Sequence, residues 1–99
     1  MANQFDVYAN AGEPLAVIIQ SDLLSDLATR VIIPLFEPIS DKEVMRALNP
    51  QITFQSRKLI LSPQLMATVF VSDLGEHLGT LDKDRDVIIR AVDALLSGI

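Results

Sequence analysis

The chain has 99 residues, of which 49% are apolar, and a formal net charge of -5 at neutral pH. This length fits one domain, and the acidic balance with scattered Lys and Arg argues against a nucleic-acid-binding surface. The sequence contains no cysteine, which excludes disulfides, thiolate catalysis and cysteine-based metal sites. A small domain with this apolar fraction has more apolar surface than a single core can bury. We therefore expect a homo-oligomer.

The start of the chain lacks the basic and apolar segments that are typical of a secretory signal. No apolar run approaches the roughly 18 residues that cross a bilayer. We therefore expect a cytoplasmic protein that does not associate with membranes.

Short apolar segments, some alternating with polar residues and some continuous, predict a series of β-strands. Pro34 falls within one of them, and because proline cannot donate to a strand ladder, we expect it at an edge, a strand end or a bulge. The predicted strands cover residues 5–9, 15–20, 30–35, 51–54, 58–61 and 67–71.

Two connections between these strands carry recognisable patterns. Ser40 and Glu43 resemble a capped helical turn that continues to Leu48. The loop after the second strand contains Leu23 and Leu24 among Ser and Asp residues. We expect at least one of these two leucines to pack beneath the sheet, because large apolar side chains are usually buried.

The last part of the chain predicts one amphipathic helix over about residues 83–96, with Asp82 as its N-cap. Its polar stripe includes Asp93 and Ser97, and Leu96 lies at the border between the two faces. Strands followed by one terminal helix indicate a small antiparallel barrel or sheet with a C-terminal helix. The apolar stripe that should face the core consists of Ile88, Ala91, Val92, Leu95 and Ile99.

The inventory of catalytic residues is thin. His77 is the only histidine, and we place it in an exposed loop over residues 75–79, in a structural rather than a catalytic role. The nearby acids favour helix capping and solubility over a calcium or magnesium site. No phosphate-binding glycine motif and no Ser-His-Asp arrangement is present. We expect no metal, no cofactor and no enzymatic activity, which leaves a binding function by elimination. The acidic residues near His77 are Glu76, Asp82, Asp84 and Asp86.

Several sequence blocks, taken in order, resemble the CcdB toxins of toxin–antitoxin modules. Each block is short, but together they keep the family's order and spacing over essentially the whole chain. The matching blocks are QFDVY at 4–8, QSDLL at 20–24, RVIIPL at 30–35, LNP at 48–50, Met66-Ala67 before a strand, and the terminal Gly98-Ile99.

The resemblance implies a mostly β fold, an SH3-like antiparallel barrel with a C-terminal α-helix, in a single domain over residues 1–99 that forms a homodimer. It also implies a toxin that binds the A subunit of DNA gyrase and traps the gyrase–DNA cleavage complex, without catalysis of its own. A CcdA-like antitoxin would neutralise it by wrapping a disordered C-terminal segment over the toxin. Such modules serve plasmid maintenance, among other roles.

Site residues are carried over from the same resemblance. It assigns Leu95 and Met66 to the dimer interface. Ser97 stands where the best-studied toxins carry Trp, which leaves open a weaker poison, a different gyrase footprint, or a module that binds antitoxin only. The gyrase-binding positions are Ser97, Gly98, Ile99, Leu96, Asp93, Leu23 and Leu24.

A second toxin class is the alternative: an endoribonuclease of the MazF/Kid type, which shares the barrel fold. It would need a basic RNA groove and a catalytic Arg/Thr pair, for which Thr29-Arg30 is a superficial match. The net charge of -5 and the absence of that family's arginine-proline strand opening speak against it.

Overall fold

Seven strands and one α-helix form the part of the chain that the structure, a computed structural model, describes: residues 2–10, 13–38 and 48–98. The helix, α1, spans Arg85–Ser97. The strands are β1 (Asp6–Asn10), β2 (Glu13–Ile18), β3 (Thr29–Phe36), β4 (Gln51–Phe54), β5 (Arg57–Leu61), β6 (Ala67–Phe70) and β7 (His77–Thr80).

The strands form one antiparallel sheet in the order β4-β5-β3-β2-β1-β7, and β6 is an additional partner of β3. One side of β3 pairs with β2 over residues 32–35. The other side pairs with β6 over residues 29–32 and with β5 at Leu35 and Phe36. The sheet therefore curls into a half-barrel around one helix, which confirms the predicted mostly β class and agrees with an SH3-like fold.

Pro34 lies in the middle of β3, opposite Ala16 of β2, rather than at an edge of the sheet. Its carbonyl accepts a 3.2 Å hydrogen bond from the backbone N–H of Ser62. This is the side on which β3 changes partner, since pairing with β6 ends at Ile32 and pairing with β5 begins at Leu35. The missing proline donor thus falls at the gap between two partners, where a ladder bond is not needed.

The two faces of the sheet carry different apolar clusters. On one face, Ile88 and Ala91 of α1 are completely buried against the strands. This cluster has more buried members than the cluster on the other face, and burying one large aliphatic side chain stabilises the fold by about 1.5–3 kcal/mol. This face therefore supplies most of the core. The cluster on the other face is smaller, and its buried members are Ala2, Tyr8, Ala16, Ile18 and Ile32.

Local predictions around the last strand and the helix need correction. Residues 75–79 are not simply a loop, because β7 begins at His77 and pairs with β1; two glycines and little alternation conceal this strand in the sequence. Asp82 does not cap the helix, since a 3₁₀ turn covers Asp82–Asp84 and α1 begins only at Arg85. The predicted helical turn over 40–48 lies almost wholly outside the described residues.

No helix among the described residues is both long and apolar enough to cross a membrane.

Candidate functional site

The last turn of α1 presents an exposed tip. Leu96 is 74% exposed, whereas Ile88 on the core-facing stripe is fully buried. Gly98 ends the helix with φ +73°, a left-handed conformation that glycine adopts without steric cost, and its N–H donates a 3.0 Å bond to the carbonyl of Ala94. The helix therefore ends in a fixed turn that holds Leu96 outward.

Polar groups at this tip are already engaged with the helix itself. The Ser97 hydroxyl donates a 2.7 Å hydrogen bond to the backbone carbonyl of Asp93. Both residues are exposed, as the amphipathic pattern predicts, and Leu95 is about one-third exposed. Met66 packs against the core from the strand side. Ile99 lies outside the described residues.

Leu23 and Leu24 form a second exposed apolar site, at 94% and 51% exposure, so the prediction that at least one packs beneath the sheet is wrong. The reason is a 3₁₀ turn over Asp22–Leu24 that local hydrogen bonds hold in place. The Ser21 hydroxyl accepts from the N–H of Leu23 at 3.2 Å, and the Gln20 amide donates to the carbonyl of Leu24 at 3.1 Å. These bonds orient the backbone and leave both side chains outside.

Arg30 anchors the loop that carries these leucines. Its guanidinium is buried, and within the described part of the chain its donors bond to main-chain carbonyls rather than to a carboxylate. The hydrogen bonds reach Ala2 (3.0 Å), Ser25 (3.1 Å), Leu27 (2.7 Å) and Thr29 (2.8 Å). Buried cations are stable only when their donors are satisfied, so Arg30 and the loop fix each other. Arg30 is therefore a structural residue, and Thr29-Arg30 does not form an exposed catalytic pair.

The helix tip lies at one end of α1, and the loop with Leu23 and Leu24, here called the leucine loop, lies toward the other end. The loop is tied to the amino terminus, where Asp22 accepts a 2.8 Å bond from the N–H of Gln4. The adjacent Phe5 ring lies 5.4 Å from the guanidinium of Arg85, in the first turn of α1. The tip is twelve residues further on, or roughly 18 Å along the helix axis. Within one chain, the predicted gyrase-binding residues thus form two separate surfaces.

Two further exposed apolar residues, which the sequence pattern did not predict, lie beside the loop that carries Leu23 and Leu24. Leu27 and Phe70 are both about half exposed. Phe70 lies opposite Thr29 in the β3–β6 pairing, and the N–H of Val71 donates a 2.9 Å bond to the carbonyl of Ala28. The neighbouring backbone segments therefore place Phe70 beside the loop. The sequence signal for this exposure is the alternation in 67–71, which places Phe70 on the opposite face of the strand from Val69.

A shallow apolar groove of about 330 Å³ crosses the face of the sheet opposite α1. Leu65 lies at its rim and is more than half exposed. We call this feature the β2–β3–β6 groove, and its lining consists of Pro14, Ala16, Ile32, Pro34, Phe36, Leu65, Ala67 and Val69.

His77 is half exposed on β7 and lies 3.4 Å from a carboxylate oxygen of Asp6, measured from its Nε2 atom. Its ring also contacts Tyr8, with ring centroids 5.1 Å apart. Burial, and next the negative charge of Asp6, raise the pKa of Tyr8, while Arg30 opposes this shift. Among the described residues, no three His, Asp or Glu side chains are arranged to hold a metal ion.

Solved structures with the same fold include proteins described as a toxin and as an endoribonuclease bound to an antitoxin. One is described as "Endoribonuclease in complex with its cognate antitoxin from Mycobacterial species"; it is 13% identical, covers 97% of this chain and 95% of its own, and has a TM-score of 0.74. Another is "Mycobacterium tuberculosis toxin MazF-mt6", which is 14% identical, covers 94% of this chain and 96% of its own, and has a TM-score of 0.73. Comparison with curated protein sequences gives no match.

These neighbours contradict the prediction that the chain is not an enzyme, since structures so similar along their whole length are described as endoribonucleases. The thin inventory of catalytic residues was not sufficient ground for that exclusion. At these identities the likeness establishes the fold alone.

Family membership comes from the sequence. The family model described as "CcdB protein" matches residues 4–98, nearly the whole chain. The match agrees with the blocks at both ends of the chain and with the half-barrel and terminal helix. The chain belongs to the CcdB family of toxins from toxin–antitoxin systems.

Proposed function

We propose that the protein binds the A subunit of DNA gyrase through the tip of α1 and traps the gyrase–DNA cleavage complex. The observation that carries this proposal is the exposure of Leu96, beside Ser97 and Gly98, on a helix whose Ile88 and Ala91 are buried in the core. An exposed leucine on a rigid helix end is poorly explained by folding alone, because it contributes nothing to the core. The target comes from the resemblance to the CcdB toxins, which the family match over residues 4–98 supports.

The leucine loop contributes the second contact surface in this proposal. Leu23 and Leu24 are held outward by hydrogen bonds to the turn backbone, so little entropy is lost when a partner covers them. The loop and the tip lie toward opposite ends of α1 and are separate surfaces within one chain. A symmetric dimer offers each of these surfaces twice. Two-fold symmetric gyrase can engage such a dimer at two points, which raises the effective concentration of the second contact.

The homodimer is itself part of the proposal, and the β2–β3–β6 groove supports it. The groove is apolar and open, although Ala16 and Ile32 on its floor are buried within the chain. Of the two interface residues that the resemblance implies, Met66 is adjacent in the chain to Leu65 at the groove rim, whereas Leu95 lies on α1, on the other face of the sheet. Sedimentation equilibrium should give a dimer for the natural sequence and a monomer for Leu65→Glu. A monomeric natural protein at micromolar concentration would refute the dimer.

A supercoiling and cleavage-complex assay with purified gyrase tests the gyrase proposal directly. The natural protein should inhibit supercoiling and accumulate linear cleaved DNA. Leu96→Ser should lose at least about tenfold in inhibitory potency, because truncation of an interface anchor costs about 1.4 kcal/mol or more. Ile89→Ser is the matched control, since Ile89 lies two turns earlier on the same stripe and is also partly exposed.

Deleting residues 97–99 extends this test and should abolish inhibition while the circular dichroism spectrum stays unchanged. If the truncated protein still traps gyrase on DNA, the tip is not the site. If the natural protein binds an antitoxin but leaves gyrase active, the chain is a family member that has lost gyrase poisoning.

A CcdA-like antitoxin is the proposed neutralising partner. Toxin–antitoxin membership supports this, and a structural neighbour is described as bound to its cognate antitoxin. Antitoxin segments that fold on binding lose conformational entropy but cover a large surface. Isothermal titration with the antitoxin encoded beside this toxin should show tight binding with a large negative heat-capacity change.

RNA cleavage is the second candidate function, favoured by the likeness to endoribonucleases along the whole chain. Since Arg30 is buried, the best acid–base candidate is His77, whose Nε2 lies 3.4 Å from Asp6 on an exposed part of β7. Incubation with single-stranded RNA should then give cleavage at a short sequence, and His77→Ala should abolish it. Intact RNA after incubation with the natural protein would rule this candidate out.

A further inference from the structure

The half-barrel does not close, and its two end strands, β4 and β7, leave an open seam between them. A cavity of about 400 Å³ follows this seam. A side chain rather than the backbone bridges it at one end, where the Gln55 amide donates a 2.8 Å hydrogen bond to the carbonyl of Leu78. The seam is lined by Thr53, Phe54, Gln55, Gly79, Thr80, Leu81, Lys83 and Asp84.

The backbone of β4 directs alternate peptide groups into the seam. Gln55 and Ser56, with φ values of 50° and 66°, form a two-residue hairpin turn between β4 and β5. In such a hairpin the flanking pair, Phe54 and Arg57, exchanges hydrogen bonds, and the residues next to it do not. The N–H and C=O groups of Thr53 therefore point away from β5, and those of Gln51 do the same.

The backbone of β7 presents a matching set from the other side. The N–H of Leu81 donates a 2.8 Å bond to the carbonyl of Phe5 and so faces β1, while the carbonyl of Leu81 accepts a bond from the N–H of Asp84. In the β1–β7 pairing, the peptide groups of Thr80, one residue before Leu81, therefore face the seam. The carbonyl of Leu78 does so as well, because it accepts the Gln55 bond. Within residues 2–10, 13–38 and 48–98, two strand edges that lack a ladder partner on one side thus border the same cavity.

We propose that this seam binds an extended segment of the antitoxin, which adds as a β-strand to β4 or β7 and completes the curled sheet. Only another extended backbone satisfies a row of alternating N–H and C=O groups on a strand edge. The occupant is argued from toxin–antitoxin membership and from the neighbour bound to its antitoxin, so this inference rests on the proposed antitoxin partner.

The seam also indicates what kind of segment fits. Its floor is apolar, since the buried side chains of Phe54 and Leu81 lie beneath it, whereas Thr53 and Thr80 are exposed at its rim. Side chains of an added strand alternate between these two environments. The segment should therefore alternate apolar and polar residues. Near Gly79 the segment should carry small apolar side chains, because space there is limited. A Cβ placed on Gly79 itself would lie only 3.1 Å from the Phe54 ring.

Amide hydrogen exchange on the natural toxin, alone and with the antitoxin encoded beside it, tests the proposal. The amides of Thr53, Gln51 or Thr80 should exchange at least about tenfold more slowly in the complex, because new ladder bonds form at one edge or the other. Protection that occurs elsewhere while all three amides exchange as in the free toxin would overturn the seam but leave the antitoxin as partner. If the antitoxin does not bind at all, both proposals fail.

A substitution at the edge gives an independent measurement. Thr53→Pro removes an N–H that makes no bond to β5, so the hairpin should be retained, while Thr53→Val keeps the N–H and changes only the side chain. Thr53→Pro should weaken antitoxin binding at least about tenfold relative to Thr53→Val, with gyrase inhibition unchanged in both. Equal affinities would overturn addition at β4, and if Thr53→Pro does not fold, the exchange measurement on the natural protein decides.

Discussion

The Nε of Arg30 donates a 3.0 Å hydrogen bond to the carbonyl of Ala2, which joins β3 to the amino terminus across 28 residues of sequence. The other donors of the same guanidinium bond to carbonyls of the loop that presents Leu23 and Leu24. One buried side chain therefore joins the amino terminus to the loop. The exposed leucines depend on this polar anchor rather than on packing.

Arg30→Lys should destabilise the fold by about 2–3 kcal/mol, because an ammonium has fewer donors than the planar guanidinium and leaves buried carbonyls unpaired. Urea denaturation measures this change. Arg57→Lys is the control, since Arg57 forms an exposed ion pair with Glu37, at 2.7 Å, and should cost less than about 1 kcal/mol.

The same Arg30→Lys protein should also bind gyrase less tightly if the loop is a contact surface, and hydrogen exchange should quicken first at residues 25–29. An equal loss of stability for the Arg30 and Arg57 variants would mean that the main-chain bonds of Arg30 contribute little.

Truncation should destabilise the fold at a buried residue of α1 but not at its exposed tip. Ile88→Ala removes a fully buried side chain and should destabilise the fold by about 2–5 kcal/mol. Leu96→Ala truncates an exposed side chain and should change stability by no more than about 0.5 kcal/mol. Thermal unfolding monitored by circular dichroism separates the two, and a large loss for Leu96→Ala would show that the tip is folded into its own chain.

Gly98 should be replaceable by asparagine more readily than by alanine. Its φ of +73° is left-handed, and an added Cβ would meet no atom within 4 Å, so the cost of Gly98→Ala is conformational rather than steric. We expect about 1 kcal/mol for alanine and less for asparagine, which tolerates this conformation better. Comparing the helix signal of the two variants during heating tests the difference, and equal values would show that the helix end does not need this turn.

Gly75 serves a different purpose, because a Cβ there would lie 2.3 Å from the carbonyl oxygen of Ala9. The close approach accompanies the 2.9 Å hydrogen bond from the N–H of Gly75 to that same oxygen. This contact joins β1 to the segment that leads into β7. The sequence shows only an isolated glycine at this place, and nothing in its local pattern indicates the strand that follows.

The sequence predicted those parts of the fold that periodicity controls. Alternation and apolar runs located the first six strands to within about two residues, and the buried stripe of α1 was correct at Ile88 and Ala91. β7 was missed because it pairs at an edge and contains Gly79, so its tertiary partner rather than its own pattern makes it a strand.

The candidate site was less predictable. The exposed tip followed from amphipathicity, but the exposure of Leu23 depends on a turn that combines a local bond to Ser21 with the bond from the buried Arg30 to the carbonyl of Ser25, and the burial of Arg30 is not visible in the sequence. Thr29-Arg30 looked like a catalytic pair only because burial is invisible in a short motif. The seam between β4 and β7 depends on how strands that are distant in sequence end beside each other, which requires the folded sheet.

The fold should lose stability in alkali through Tyr8, whose pKa is raised above its ordinary value of about 10 by burial and by the neighbouring Asp6 charge. The folded state then holds its phenolic proton more tightly than the unfolded state. The resulting stabilisation is fully present below about pH 10 and is lost as the pH rises through the folded-state pKa. Because Tyr8 is the only tyrosine and the chain has no tryptophan or cysteine, absorbance at 295 nm reports this one group. The midpoint of the pH titration of the folded protein should lie above that of the protein in concentrated urea. Tyr8→Phe should reduce the alkaline loss of stability. Coincident midpoints would show that Tyr8 is as accessible in the fold as in the unfolded chain.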